Sequence, residues 1–253
     1  MARMAARSLM SAYVLLGLIN VIAVATSNVS AEQLTKPLLM PLLIAWLLVE
    51  VRRALSAPLL LLLVGLMFAW LGDLLLLGEG DTLLAAGISA FLVTQLAYCL
   101  AFGRVPGLRF RRGIISPPRG PVRGLVSQHR AIVLPFVAYL VGLTWLLWPT
   151  AGSLRVPFLA YGCVLMMMSI CALNLVNRMP AKAAWVTFTG SILFVASDSA
   201  IAVTAIGSVP ESPASGALVM LTYIAAQGLI ALGLLTGVRD LDEARRELAG
   251  IRR

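Results

Sequence analysis

The chain has 253 residues, 60% of them hydrophobic and only 12% charged, with a net charge of +9. A mean hydropathy of +0.94 is far outside the range of water-soluble domains, and apolar runs of near-spanning length recur throughout, which excludes a large soluble domain. Cys99, Cys163 and Cys171 lie in apolar runs without a C-x-x-C spacing and His129 is the only histidine, so no zinc or haem site is expected.

The fold class expected is all-α: a polytopic membrane protein of eight transmembrane helices. The spans fall at about 9–25, 37–51, 58–77, 82–103, 131–149, 157–176, 183–206 and 216–236. The second is short; either it tilts little or it extends back through Leu34. Pro37, Pro58 and Pro157 stand where a first turn is expected, since a missing N–H is harmless there. Asp81 is placed to cap the fourth span. Met1 to Arg7 is basic, but no small-residue cleavage site follows, so no cleavable leader is expected.

Orientation follows from Lys and Arg. With the N-terminus in the cytoplasm, all 20 basic residues except Lys36 and Arg155 fall on the inner side. Both termini are then cytoplasmic, in the cell membrane. The positive charge is thus a topology signal and a contact for anionic lipid headgroups, not for nucleic acid. Residues 104–130 form a basic cytoplasmic loop, whose Pro106, Pro117, Pro118 and Pro121 predict irregular structure. Residues 237–253 form a cytoplasmic tail, read as a short helix with pairs such as Asp242–Arg246. Nothing in the sequence sets an oligomeric state.

Two stretches carry acids into the apolar runs. Gly65 precedes Asp73 by eight residues in the third span, and Gly190 precedes Asp198 by eight in the seventh. Spans one to four lie on five to eight as a weak repeat, with Lys36-Pro37 matching Val156-Pro157 and Gln95 matching Gln227. Such a 4+4 parallel pseudo-repeat puts both aspartates at one depth, about 22 Å from the inner face. The glycines suit close helix packing equally well. An intramembrane carboxyl costs several kcal/mol, so by default it marks function or a specific pair. With no mid-span Lys or Arg to neutralise them, Asp73 and Asp198 are expected to converge and share a proton, as a general acid beside a general base. Lys36, at the outer rim, and Arg155 could meet a phosphate. Tyr161 and Tyr223 could bound a headgroup or simply belt the interface. Gln95 and Gln227 lie deeper.

The stretches TKPLLMPLL from Thr35, GLMFAWLGDLLLL from Gly65, AAGISAFLVTQLAYCLAFG from Ala85, GSILFVASDSAIAV from Gly190 and LTYIAAQGLIALG from Leu221 resemble the YhhN family of membrane lysoplasmalogenases. The most specific parts are Gly72-Asp73, Ser197-Asp198-Ser199, Tyr223 with Gln227, and Lys36-Pro37. The resemblance implies hydrolysis of the vinyl ether of a lysoplasmalogen, a lysophospholipid met within the bilayer, to a fatty aldehyde and a glycerophospho-headgroup. It puts the catalytic aspartates at Asp73 and Asp198 and implies no cofactor. Lys36, Tyr161, Tyr223, Gln95 and Gln227 are the substrate-binding candidates. Many relatives have histidine where Gln95 stands; glutamine cannot titrate.

Two acids and a repeat would also suit a proton-coupled transporter of lipid or small molecules, although no span is interrupted by a mid-membrane Pro or Gly cluster. A non-catalytic lipid-binding protein with structural acids is a further alternative. A retinal-type receptor is excluded, because both lysines, Lys36 and Lys182, sit at span ends.

Overall fold

The computed structural model describes residues 2–51, 55–111, 114–116, 122–207, 209–210 and 212–251. Arg52, Arg53, Arg112, Pro117, Pro118, Arg119, Pro121, Arg252 and Arg253, which entered the charge and loop expectations, lie outside the described residues. The long helices are α1 (Ala2–Ala25), α2 (Val29–Glu50), α3 (Ala57–Leu75), α4 (Asp81–Arg104), α6 (Leu134–Leu147), α7 (Arg155–Leu173), α8 (Ala181–Ala205) and α9 (Pro213–Ile251); a single-turn helix, α5 (Leu125–Gln128), precedes α6. Counting the 3₁₀ turns that lead into α6 and α7, eight helices among the described residues are long and apolar enough to cross a membrane. Most connections are a few residues long, so successive helices run back alongside one another. One end of the bundle holds Arg3, Arg7, Arg104, Arg130, Arg178, Lys182 and Arg239, and is called the basic end; Lys36 and Arg155 lie toward the far end.

Several expectations change. α2 starts at Val29, so Pro37 is interior to the helix, as is Pro41. The missing N–H of Pro41 deprives the Pro37 carbonyl of its helical partner, and Trp70 Nε1 of α3 donates to that carbonyl at 2.9 Å. A neighbouring helix thus repairs the ladder, which is how a spanning helix tolerates proline. Asp81 is the first helical residue and not the cap; Gly80, at φ 106°, holds the cap position. Asp81 still meets the positive end of the helix dipole. Within the loop after α4, β1 (Arg109–Arg111) pairs antiparallel with β2 (Ile114–Ser116).

The tail is no separate helix. α9 continues unbroken for 39 residues, about 58 Å against a hydrocarbon thickness of about 30 Å. Its extension is tied by Arg239, which forms an ion pair with Glu50 at the end of α2 and donates to the Glu50 carbonyl at 2.9 Å. Among the described residues that is the only ion pair, so Asp242–Arg246 does not form. An exposed i,i+4 pair gains too little to hold two long side chains against water.

The most extensive contacts are α8 with α9 and α3 with α4, followed by α1 with α2. At Gly190 the helices approach so closely that a Cβ would lie 2.8 Å from the Ile230 nitrogen and 2.9 Å from the Ala226 carbonyl oxygen of α9. Small residues are what permit such approach where lipid offers no hydrophobic drive. α6 is peripheral, packing mainly on α7, with most of its surface outside the core. At the basic end Arg178 donates to the carbonyls of Phe102, Gly103 and Val105. It closes the orphan acceptors at the end of α4.

Candidate active site

Asp73 is the seventeenth residue of α3 and Asp198 the eighteenth of α8. Both helices start at the basic end, so each acid is about 24–26 Å along its helix. Asp73 is sealed, with 2% of its surface exposed; Asp198 is only partly buried.

Each carboxylate is held by a phenol. Tyr223 of α9 donates to Asp73 Oδ2 at 2.8 Å. Tyr161 of α7 donates to Asp198 Oδ2 at 2.6 Å, and Gln95 Nε2 of α4 donates to the same oxygen at 3.1 Å. No Lys or Arg forms an ion pair with Asp73 or Asp198 among the described residues. No hydrogen bond joins the two carboxyls among the described residues. The expectation of one proton held directly between them is therefore corrected to two carboxylate–tyrosine pairs. The reason is local: a strong phenolic donor one bond away outcompetes a second carboxyl, which would bring like charge.

α4 and α9 connect the two pairs. Phe91, Gln95 and Tyr98 stand at i, i+4 and i+7 on one face of α4. The Phe91 ring meets Tyr223 edge-on, with centroids 5.8 Å apart, and Phe194 meets it from α8 at 6.0 Å. These contacts clamp the phenol that holds Asp73. Gln95 reaches Asp198. Tyr98 donates to Gln227 Oε1 at 2.6 Å, and Gln227 is one turn along α9 from Tyr223. Two glycines of α3 make room for this face: Gly72 lies under the Phe91 ring and Gly65 under the Tyr98 ring. Thr94 adds a hydrogen bond to the Gly65 carbonyl at 3.1 Å.

Of the residues singled out in the sequence, Tyr161, Tyr223 and Gln95 bond to the acids, and Gln227 bonds to Tyr98 on the same face of α4. Tyr161 and Tyr223 touch the acids themselves rather than an open headgroup pocket, and Gln95 touches Asp198. Sequence reasoning missed Tyr98 and Tyr13, both buried. Tyr13 of α1 donates to the Ile224 carbonyl at 2.7 Å, one residue from Tyr223. The available signal was chemical: a tyrosine deep inside an apolar span must find a partner for its hydroxyl. Tyr139 of α6 was also missed; it donates to Ser199 Oγ, beside Asp198, at 2.8 Å. Among the described residues no cluster of His, Cys, Asp and Glu has the makings of a metal site.

The profile of the YhhN family matches residues 31–234, a stretch that includes every residue of the two acid pairs. The chain is similar to lysoplasmalogenase TMEM86A of Bos taurus, with 28% identity over 186 residues, covering 72% of this chain and 68% of that protein. No solved structure matches.

Proposed function

This chain belongs to the YhhN family, and we propose that it hydrolyses the vinyl ether of a lysoplasmalogen inside the bilayer, with Asp73 and Asp198 as the acid–base pair. The observation that carries the proposal is the pair itself. Two carboxyls from separate halves of the chain sit at one depth in spanning helices, each on its own tyrosine. The similarity to a named lysoplasmalogenase supports the substrate class.

The partners divide the labour. Both donors to Asp198 converge on Oδ2, which leaves Oδ1 to carry and deliver a proton. Asp73 takes a single donor, which suits a carboxylate that accepts one. In the first step Asp198 protonates the outer carbon of the vinyl ether, leaving an oxocarbenium ion at the carbon bound to oxygen. Asp73 takes a proton from water as the water oxygen bonds to that carbon, giving a hemiacetal. As the bond to the glycerol oxygen breaks, Asp73 returns its proton to that oxygen and Asp198 takes the hemiacetal hydroxyl proton, which releases the aldehyde and the glycerophospho-headgroup and restores both acids. In this scheme Lys36 acts through Asp73, and Tyr161, Tyr223 and Gln95 are positioning residues. Orientation with the basic end in the cytoplasm, against anionic headgroups, belongs to the same proposal.

The test is a screen of the purified full-length chain against vinyl-ether, alkyl-ether and ester lysolipids with aldehyde detection. Aldehyde from the vinyl ether alone is the expected result. Uptake in sealed vesicles with no aldehyde in detergent would instead favour a proton-coupled carrier.

A further inference from the structure

Asp198 stands where three helices meet. Its Oδ2 receives Tyr161 from α7 and Gln95 from α4, so the faces of α4, α7 and α8 that carry these residues turn toward one another. Burial changes at that level along each of the three faces. On α4, Tyr98 and Phe102 lie on the basic side of Gln95 and are fully buried, whereas Ile88, two turns to the far side on the same face, is 44% exposed. On α8, Phe194 and Ser191 are fully buried on the basic side of Asp198, whereas Ile201 on the far side is 42% exposed. On α7, Leu165 and Met168 are buried on the basic side of Tyr161, whereas Phe158 is half-buried and Pro157 exposed on the far side. Three faces sealed toward the basic end thus open together toward the far end. Asp198 lies at the apex, itself partly exposed.

The neighbouring helices show where the opening faces. α6 closes one side. Its Leu147 comes within 3.4 Å of where a Cβ would stand on Gly207, just past the end of α8, and Tyr139 donates to Ser199 at 2.8 Å. α4 borders the other side. Its far half leans on α3 through Gly87, against which Leu76 packs, and through the buried Ala90. Ile88 is left off that contact. α4 packs chiefly on α3 and α8 chiefly on α9; among the described residues, Gln95 to Asp198 is the one hydrogen bond that joins α4 to α8. The opening therefore lies between the far halves of α4 and α8, with α7 behind it. Asp198 is seven residues from Ala205, the last of α8, so the carboxyl lies about 10 Å below that end. A lipid with its headgroup at the surface carries its linkage and first chain carbons at such a depth.

We propose that this seam is a lateral entrance through which a single-chain phospholipid of the far-end leaflet brings its linkage to Asp198. The headgroup stays at the surface. The chain stays in the bilayer, because Tyr98, Met168 and Phe194 fill the space on the basic side of Asp198. The entrance thus admits the linkage and the first carbons of the chain and does not read chain length; Ile88 and Ile201 set its width. This inference rests on the proposed hydrolysis for the choice of lipid, and its test does not use that reaction.

The full-length chain in phosphatidylcholine nanodiscs is irradiated with two 1-alkyl lysophospholipids, which have no vinyl ether to cleave. One carries a diazirine on the chain next to the linkage, the other at the chain end. The first probe should label Tyr161 and Asp198, located by peptide mass spectrometry, and the second should leave them unlabelled. Ile88→Trp combined with Ile201→Trp should lower labelling by the first probe at least about 5-fold, the low end of the cost of overfilling a site, with elution on size exclusion unchanged. No labelling of Tyr161 and Asp198 by the first probe, or equal labelling by both, overturns the entrance without any variant and decides the matter should the double variant not fold. Wild-type labelling in a folded double variant overturns it as well. The expected labelling without aldehyde release from a vinyl-ether lysolipid upholds the entrance and defeats the hydrolase reading alone.

Discussion

Asp73 and Asp198 look alike in sequence and are housed differently. Asp73 is sealed from solvent and takes one phenolic hydrogen bond, from Tyr223. Asp198 is partly open and takes two neutral donors on one oxygen. The lesson is that equal depth does not make equal acids. Partner chemistry separates them, and the proposed division into proton donor and proton acceptor rests on that difference. The partner of Asp73 comes from the eighth span, those of Asp198 from the sixth and fourth.

The largest test of the comparison removes each proton in turn. Asp73→Asn and Asp198→Asn should each lower kcat by at least about 10³-fold, toward the upper end of general acid–base contributions, with elution on size exclusion unchanged. A variant that keeps a tenth of the rate removes that acid from the chemistry.

The two phenols should then differ. Tyr223→Phe strips Asp73 of its only hydrogen bond and should cost about 30-fold in kcat, whereas Tyr161→Phe leaves Gln95 on Asp198 and should cost about 3-fold. Equal losses would mean that the two environments are functionally the same.

Lys36 sharpens the contrast further. If it acts through Asp73, Lys36→Ala lowers kcat by about 10-fold at nearly constant KM, the size of one charge interaction at a half-buried site. A raised KM with unchanged kcat would return Lys36 to the headgroup.

The smallest effect concerns the scaffold. Trp70→Phe leaves the Pro37 carbonyl unpartnered and should cost about 1 kcal/mol, read as a fall of a few degrees in Tm with kcat little altered. No change in Tm would show that the proline ladder needs no repair.

The amino-acid order determined the membrane class, the eight apolar helices and the two acids, because hydrocarbon permits only internally bonded segments and makes each carboxyl conspicuous. It also held the shared Gly–Asp spacing, yet the two glycines do different work: Gly65 admits the Tyr98 ring, and Gly190 admits the backbone of α9. Helix starts at Pro37 and Asp81 were misjudged because local rules ignore a neighbour such as Trp70. Which side chain meets which carboxyl was decided only in three dimensions. Tyr223 is 150 residues from Asp73, and Gln95 is 103 from Asp198. Such pairings depend on helix rotation and close approach, quantities that apolar periodicity leaves open when every face of a helix is apolar.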